Sequence, residues 1–231
     1  MDIEIVAFDV FGTLVDWRTS IAAALAKAGE RAGLDADWPA VADAWRSRYG
    51  PTLAGVLRGE RQYQPLDVLH AGMLDEVVAE YDLQALTAAD RDELVLAWHR
   101  LSPWPDTVAG LTELRKRHIL TPLSNGGLGL LTRLARAAGL PFDCILSSEL
   151  AGSYKPDPRV YLLPSEFFDV RPEQVLMVAC HPGDLDGARR AGLRTAFVPR
   201  PLEWGPERGA PQAPADADVV ADDLVALAAL I

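Results

Sequence analysis

Beyond Pro103 the chain repeats one pattern four times: an amphipathic stretch of helical periodicity, then a short apolar run. Asp106 to Arg117 precedes Ile119-Leu120-Thr121-Pro122-Leu123, and Leu128 to Ala138, closed by Gly139, precedes Cys144-Ile145-Leu146-Ser147. A stretch after Pro158 precedes Val175-Leu176-Met177-Val178, and Leu185 to Ala191, closed by Gly192, precedes Thr195-Ala196-Phe197-Val198. Runs that are apolar throughout belong to strands buried on both faces, and the helices between them are the crossovers that parallel strands require. The spacing predicts an α/β fold built on a doubly wound parallel sheet. After a Pro- and Gly-rich loop from Pro201 to Ala217, Val219-Val220 and Leu224 to Leu230 add a last strand and helix. Pro164 is expected to kink or shorten the helix it falls in.

An earlier run, Ile3-Glu4-Ile5-Val6-Ala7-Phe8, ends at Asp9 and is followed by Gly12-Thr13. A buried strand thus delivers a carboxylate to the sheet edge where open α/β folds bind ligands, and Gly12 allows a sharp turn around it. From Ser20 to about Arg100 the periodicity is helical: Ile21, Leu25 and Ala28; Val41, Trp45, Arg48 and Tyr49; Leu66, Leu69, Met73, Val77 and Tyr81; Leu94, Ala97, Trp98 and Leu101. Asp37 before Trp38-Pro39 and the Thr87-Ala88-Ala89-Asp90 box mark helix starts, while Gly50-Pro51 and Gly59 read as breaks. Trp17, Trp38, Trp45 and Trp98 read as core anchors of this all-helical insertion.

Composition narrows the partners. A net charge of -11 argues against nucleic acid or an anionic membrane surface, though it leaves room for a local positive pocket and a small anion. Cys144 and Cys180 form no disulfide framework, and neither a leader nor a membrane-length apolar run is visible, so the cytoplasm is the expected compartment.

The ends of the predicted strands carry one polar set: Asp9; Ser124-Asn125-Gly126; Lys155-Pro156 beyond Ser147-Ser148; and Cys180-His181-Pro182-Gly183-Asp184. Two acids, a lysine and a hydroxyl with an amide, arriving on four separate loops, are the makings of a catalytic pocket.

In that order, Asp9-x-Phe11-Gly12-Thr13-Leu14, Ser124-Asn125-Gly126, Lys155-Pro156-Asp157 and Asp184 resemble the four motifs of the haloacid dehalogenase (HAD) superfamily, over essentially the whole chain. The resemblance implies a Rossmann-like core of residues 1–16 and 101–231 with a helical cap of residues 17–100. Phosphatases of the superfamily carry an acid two residues after the nucleophile and another in the fourth motif for magnesium; those positions here are Phe11 and Cys180. Phenylalanine neither donates a proton nor binds a metal, and a cysteine is a poor ligand for a hard cation. An aromatic at Phe11, Trp45-Arg46, and Tyr161 after Lys155 instead resemble the L-2-haloacid dehalogenase, or (S)-2-haloacid dehalogenase, branch.

That branch implies a hydrolase that displaces halide from short L-2-haloalkanoic acids through an ester on Asp9, with no metal or cofactor. Halide is a weak base that needs no proton, so an apolar Phe11 fits the chemistry. By the resemblance Lys155 would hold Asp9 ionised, Ser124 and Asn125 would bind the substrate carboxylate or the ester oxyanion, Arg46 would meet the departing halide, and Asp184 would orient Lys155 and help activate water. It also implies a homodimer. The branch has a serine and an asparagine where this chain has Ala179 and His181; the loss of a hydroxyl at Ala179 leaves His181 as a candidate water-activating base. Cys180 reads as a buried filler. Two other readings are a magnesium-dependent phosphatase acting on a small phosphate monoester, and a non-catalytic relative whose cap binds another protein.

Overall fold

The computed structural model describes residues 2–209 and 211–231. The chain runs β1 (Ile5–Phe8), β2 (Val15–Asp16), then five helices, α1 (Trp17–Ala32), α2 (Trp38–Ser47), α3 (Tyr49–Leu57), α4 (Leu66–Glu80) and α5 (Ala88–Ala97). It continues through β3 (Ser102–Pro103), α6 (Thr107–Leu114), β4 (Ile119–Ser124), α7 (Leu128–Ala138), β5 (Leu146–Ser147), α8 (Pro158–Phe168), β6 (Val175–Ala179), α9 (Pro182–Arg190), β7 (Arg194–Phe197), β8 (Val219–Val220) and α10 (Leu224–Leu230).

The six-stranded sheet has the order β5-β4-β1-β6-β7-β8, and each neighbouring pair is parallel. β1 lies between β4 and β6, with Ile5 level with Ile119 on one side and Val175 on the other. The strand order reverses at β1, which is the switch point where such sheets open a crevice. Because side chains alternate across a strand, Val6 and Phe8 enter one apolar core while Ile5 and Ala7 enter the other. Burying each of these larger side chains contributes ~1.5–3 kcal/mol, so β1 is a firm mount for Asp9.

The chain enters and leaves the helical block where β2 and β3 pair antiparallel, Val15 opposite Pro103 and Asp16 opposite Ser102. Its helix starts follow the capping chemistry. Asp37 accepts from the Ala40 backbone N–H, and Thr87 and Asp90 form the reciprocal box. The break read at Gly50-Pro51 falls at Arg48, between α2 and α3, and both residues lie in the first turn of α3, where proline removes only an N–H that has no helical partner. α8 continues four residues past Pro164 instead of ending there, at the expense of a single ladder bond. No helix among the described residues is long and apolar enough to cross a membrane.

Candidate active site

Asp9 follows the last residue of β1, and its N–H donates to Val178 O at 3.0 Å, which prolongs the sheet ladder by one bond and fixes the backbone. The chain then turns at Gly12, whose φ of +88° suits glycine. The turn is tied down by Gly12 N–H to Val15 O and Leu14 N–H to Val10 O. It brings Thr13 back so that its hydroxyl donates to Asp9 Oδ2 at 2.8 Å while accepting from the Cys180 N–H at 3.1 Å.

Lys155, between β5 and α8, reaches Asp184 Oδ2 at 2.7 Å and Asp9 Oδ1 at 3.5 Å. Its own N–H is held by Asn125 Oδ1 at 2.8 Å, and the Asn125 amide nitrogen donates to the Tyr49 hydroxyl at 2.9 Å. Asn125 is therefore a brace between the lysine loop and α3. Asp184 lies in the first turn of α9, not in a loop before it, and also accepts from the Tyr161 hydroxyl at 2.7 Å. Tyr161 is at once a core residue and a site residue, its ring fully buried and its oxygen at the carboxylate.

These groups surround a cavity of about 330 Å³ lined by Asp9, Phe11, Arg46, Tyr49, Asn125, Lys155, Pro156, Tyr161, His181, Gly183 and Asp184. Of the nine residues singled out in the sequence, eight stand on its wall. Ser124 does not; its hydroxyl is buried behind the wall at the end of β4 with no hydrogen-bond partner among the described residues. Arg46 comes from α2, its guanidinium 4.1 Å from the Tyr49 ring centre and 5.7 Å from that of Trp17, with Nη1 buried and unpaired. Tyr49 escaped the sequence reading because it fits the apolar stripe of a helix.

The two carboxylates are driven apart in acidity. Burial works to raise Asp9, but the Lys155 ammonium, His181 and the Thr13 hydroxyl overcome it and hold the group well below the usual carboxylate range. Burial also raises Asp184, and there the like charge of Asp9 adds to it, so that Lys155 and Tyr161 do not bring it back to 3.8. Burial opposes the charge on Lys155, yet Asp184 and Asp9 raise it above its ordinary 10.5. One carboxylate held at a lower pKa beside a more basic one is an arrangement suited to a nucleophile and a proton acceptor.

His181, read in the sequence as a candidate water-activating base, has both ring nitrogens committed to carboxylates. Its Nδ1 is 3.1 Å from Asp9 Oδ2 and its Nε2 is 3.0 Å from both oxygens of Glu203. Burial favours the neutral ring, but Cys180, Asp9 and Glu203 raise it well above 6.5. Since burial also pushes the Cys180 thiol up, the two carboxylates supply the charge that keeps the ring protonated. Glu203 was invisible in the sequence: it lies in the Pro- and Gly-rich loop, with no periodicity to mark it.

The donors fit magnesium poorly. A hard cation needs several oxygens, and the two carboxylates on the wall, Asp9 and Asp184, already share one ammonium. Cys180, His181 and Glu203 bring potential ligand atoms within 4.8 Å of one another. However, both His181 nitrogens face carboxylate oxygens, and an imidazolium has no lone pair for a metal.

The haloacid dehalogenase-like hydrolase family model matches residues 3–192. (S)-2-haloacid dehalogenase 1 of Pseudomonas sp. strain CBS-3 is 30% identical over 214 residues, 87% of this chain and 88% of that one. The crystal structure of a defluorinating L-2-haloacid dehalogenase superimposes with a TM-score of 0.94 at 43% identity, covering 99% of this chain and 94% of that chain. The L-2-haloacid dehalogenase of Xanthobacter autotrophicus with chloropropionic acid covalently bound superimposes with a TM-score of 0.82 at 25% identity, covering 99% of this chain and 98% of that chain.

Proposed function

This chain belongs to the haloacid dehalogenase-like hydrolase family, and from that premise we propose that it hydrolyses the carbon–halogen bond of short L-2-haloalkanoic acids, haloacetates and 2-chloropropionate among them, to 2-hydroxy acids. The observation that carries this reading is Phe11, 2% exposed, on the cavity wall two residues after an ionised Asp9. No proton donor stands there for an alcohol leaving group, and halide needs none.

Asp9 Oδ1, whose polar partner among the described residues is Lys155, attacks C2 from the side opposite the halogen; the C–X bond breaks, halide departs with the electron pair, and the carbon inverts. Phe11 excludes water from the nucleophile, and Arg46 offers the halide a fixed charge. The substrate carboxylate is received at the Asn125 amide just beyond β4, with Asn125 also positioning Lys155 and Tyr49 around it. Asp184, the more basic acid, takes a proton from the water that attacks the Asp9 ester. Residues 17–100 act as the cap that delivers Arg46 and Tyr49 to a core made of residues 1–16 and 101–231, and the working form is a cytoplasmic homodimer.

The test is halide release from the separate enantiomers of 2-chloropropionate and from fluoroacetate, in the presence of a chelator, by wild type and Asp9→Asn. Turnover of the L enantiomer alone, resistant to chelator and lost in the variant, is the expected outcome. Magnesium-dependent turnover of a phosphate monoester without halide release would overturn it.

A further inference from the structure

The two oxygens of Asp9 are not equivalent. Oδ1 lies 3.5 Å from Lys155 Nζ and has no other polar partner among the described residues, whereas Oδ2 accepts from Thr13 at 2.8 Å and faces His181 Nδ1 at 3.1 Å. Carboxylate oxygens only accept hydrogen bonds, so a ring with Nδ1 on Asp9 and Nε2 on both oxygens of Glu203 carries hydrogen at both nitrogens.

Resting on the reading that Asp9 forms an ester through Oδ1, we propose that Glu203 is a positioning residue that fixes His181 as a two-proton donor, whose Nδ1–H joins the Thr13 hydroxyl in binding the oxyanion formed when water attacks that ester. Once Oδ1 has bonded to C2, Oδ2 is the ester carbonyl oxygen. Water adds to Cγ and gives one proton to Asp184, and the π pair moves onto Oδ2, between the two donors. Collapse restores the carbonyl and breaks Cγ–Oδ1, and Oδ1 leaves with the product after taking the proton from Asp184. The second water proton, left on the Asp9 carboxyl, is lost to solvent as that group re-ionises. A charged donor already aimed at the oxygen where charge develops needs no reorganisation at the moment of reaction.

Glu203 is held for this task from several sides. It is 3% exposed and accepts from the Trp17 indole N–H at 3.1 Å. Its carboxylate lies so close to Gly12 that a Cβ there would come within 2.2 Å of Oε1. Its loop is pinned to the catalytic turn by Arg200, whose Nε donates to Thr13 O at 2.8 Å while its two terminal nitrogens grip Asp106 at 2.7 and 2.9 Å. Glu203 is absent from the cavity wall and acts only through His181.

The experiment compares Glu203→Gln with wild type in rapid-quench turnover of L-2-chloropropionate. Halide burst, 2-hydroxy acid formation and the covalent adduct on the intact protein are followed separately, and His181 is titrated by 15N NMR without substrate. The charged and titratable groups around the ring are Asp9, Cys180 and Glu203, with Arg46 beyond Glu203 and Lys155 beyond Asp9. Expected for Glu203→Gln are a burst within about twofold of wild type, ester hydrolysis slower by ~10–100-fold, accumulation of adduct, and loss of the His181 proton at lower pH. Glu203→Asp, charged but shorter, should fall between the two and serves if the glutamine variant does not fold. Equal slowing of both half-reactions, or an unmoved His181 titration, overturns the proposal. If the wild type releases no halide, the dehalogenase reading itself falls and the oxyanion role with it, a result distinguishable from failure of the Glu203 link.

Discussion

The Lys155 ammonium sits 2.7 Å from Asp184 and 3.5 Å from Asp9, so one cation, its side chain only 8% exposed, serves two buried acids unequally. Replacing it by Lys155→Met leaves Asp184 without a cation and Asp9 with His181 alone. Halide release should fall by ~10³-fold or more, and stability at pH 7 by about 3–5 kcal/mol. The sign with pH is fixed. In the wild type the depressed Asp9 contributes stability above its unfolded pKa and loses it on acidification. In the variant Asp184, already raised in the wild type, loses the ammonium that lowers it, and its destabilisation is relieved as it protonates. Urea denaturation at pH 7 and pH 5 should therefore show the gap between the two proteins narrowing toward acid.

Arg46 lies over the Tyr49 ring, with Nη1 buried and without a partner among the described residues. Arg46→Gln should lower kcat by ~10²-fold and weaken product inhibition by added halide, since the fixed charge for the departing anion is gone. Arg46→Lys restores the charge but not the planar fork or its stacking, and should recover only part of the loss. Steady-state inhibition by chloride and bromide distinguishes the three proteins.

Gly187 on α9 faces the Tyr161 ring: an added Cβ would lie 2.5 Å from the hydroxyl oxygen and 2.7 Å from two ring carbons. That ring is fully buried in the core and its hydroxyl is bonded to Asp184. Gly187→Ala should cost about 1–3 kcal/mol and break the Tyr161–Asp184 bond, lowering activity along with melting temperature. Tyr161→Phe keeps the packing and loses only the hydroxyl, so its activity should fall with a much smaller loss of stability.

His70, on α4, is buried against Trp98 with ring centres 4.4 Å apart, and burial pushes it down to about 3. The unfolded chain binds the extra proton below pH 6.5 and the folded protein does not until about pH 3. Stability is therefore lost as pH falls through that window, at up to about 1.4 kcal/mol per unit. His70→Phe should flatten this slope relative to wild type, as measured by thermal denaturation from pH 7 to pH 4.

Asp9, Lys155 and Asp184 were legible because each sits at the end of an apolar run or a βα junction, where local pattern fixes position. Glu203 was not, because its place depends on Arg200 reaching Thr13 across 187 residues of sequence, and a loop without periodicity gives no sign of such a tie. Tyr49 was hidden by the opposite cause: a helical stripe marks every apolar residue alike, whether it meets the core or a cavity. Pro164 misled because a proline's effect depends on where in the helix its missing N–H falls.

The aromatic residues behind the pocket form one connected set: Trp17 is 5.0 Å from Trp204 and 6.3 Å from Trp98, which is 5.5 Å from Trp45. The indole N–H of Trp17 is bonded to Glu203, the carboxylate that holds His181. The molecule thus has a native chromophore in contact with the charges around Asp9. Its ultraviolet emission should report a change of charge at Glu203 or His181, read in a stopped-flow cell with no label attached.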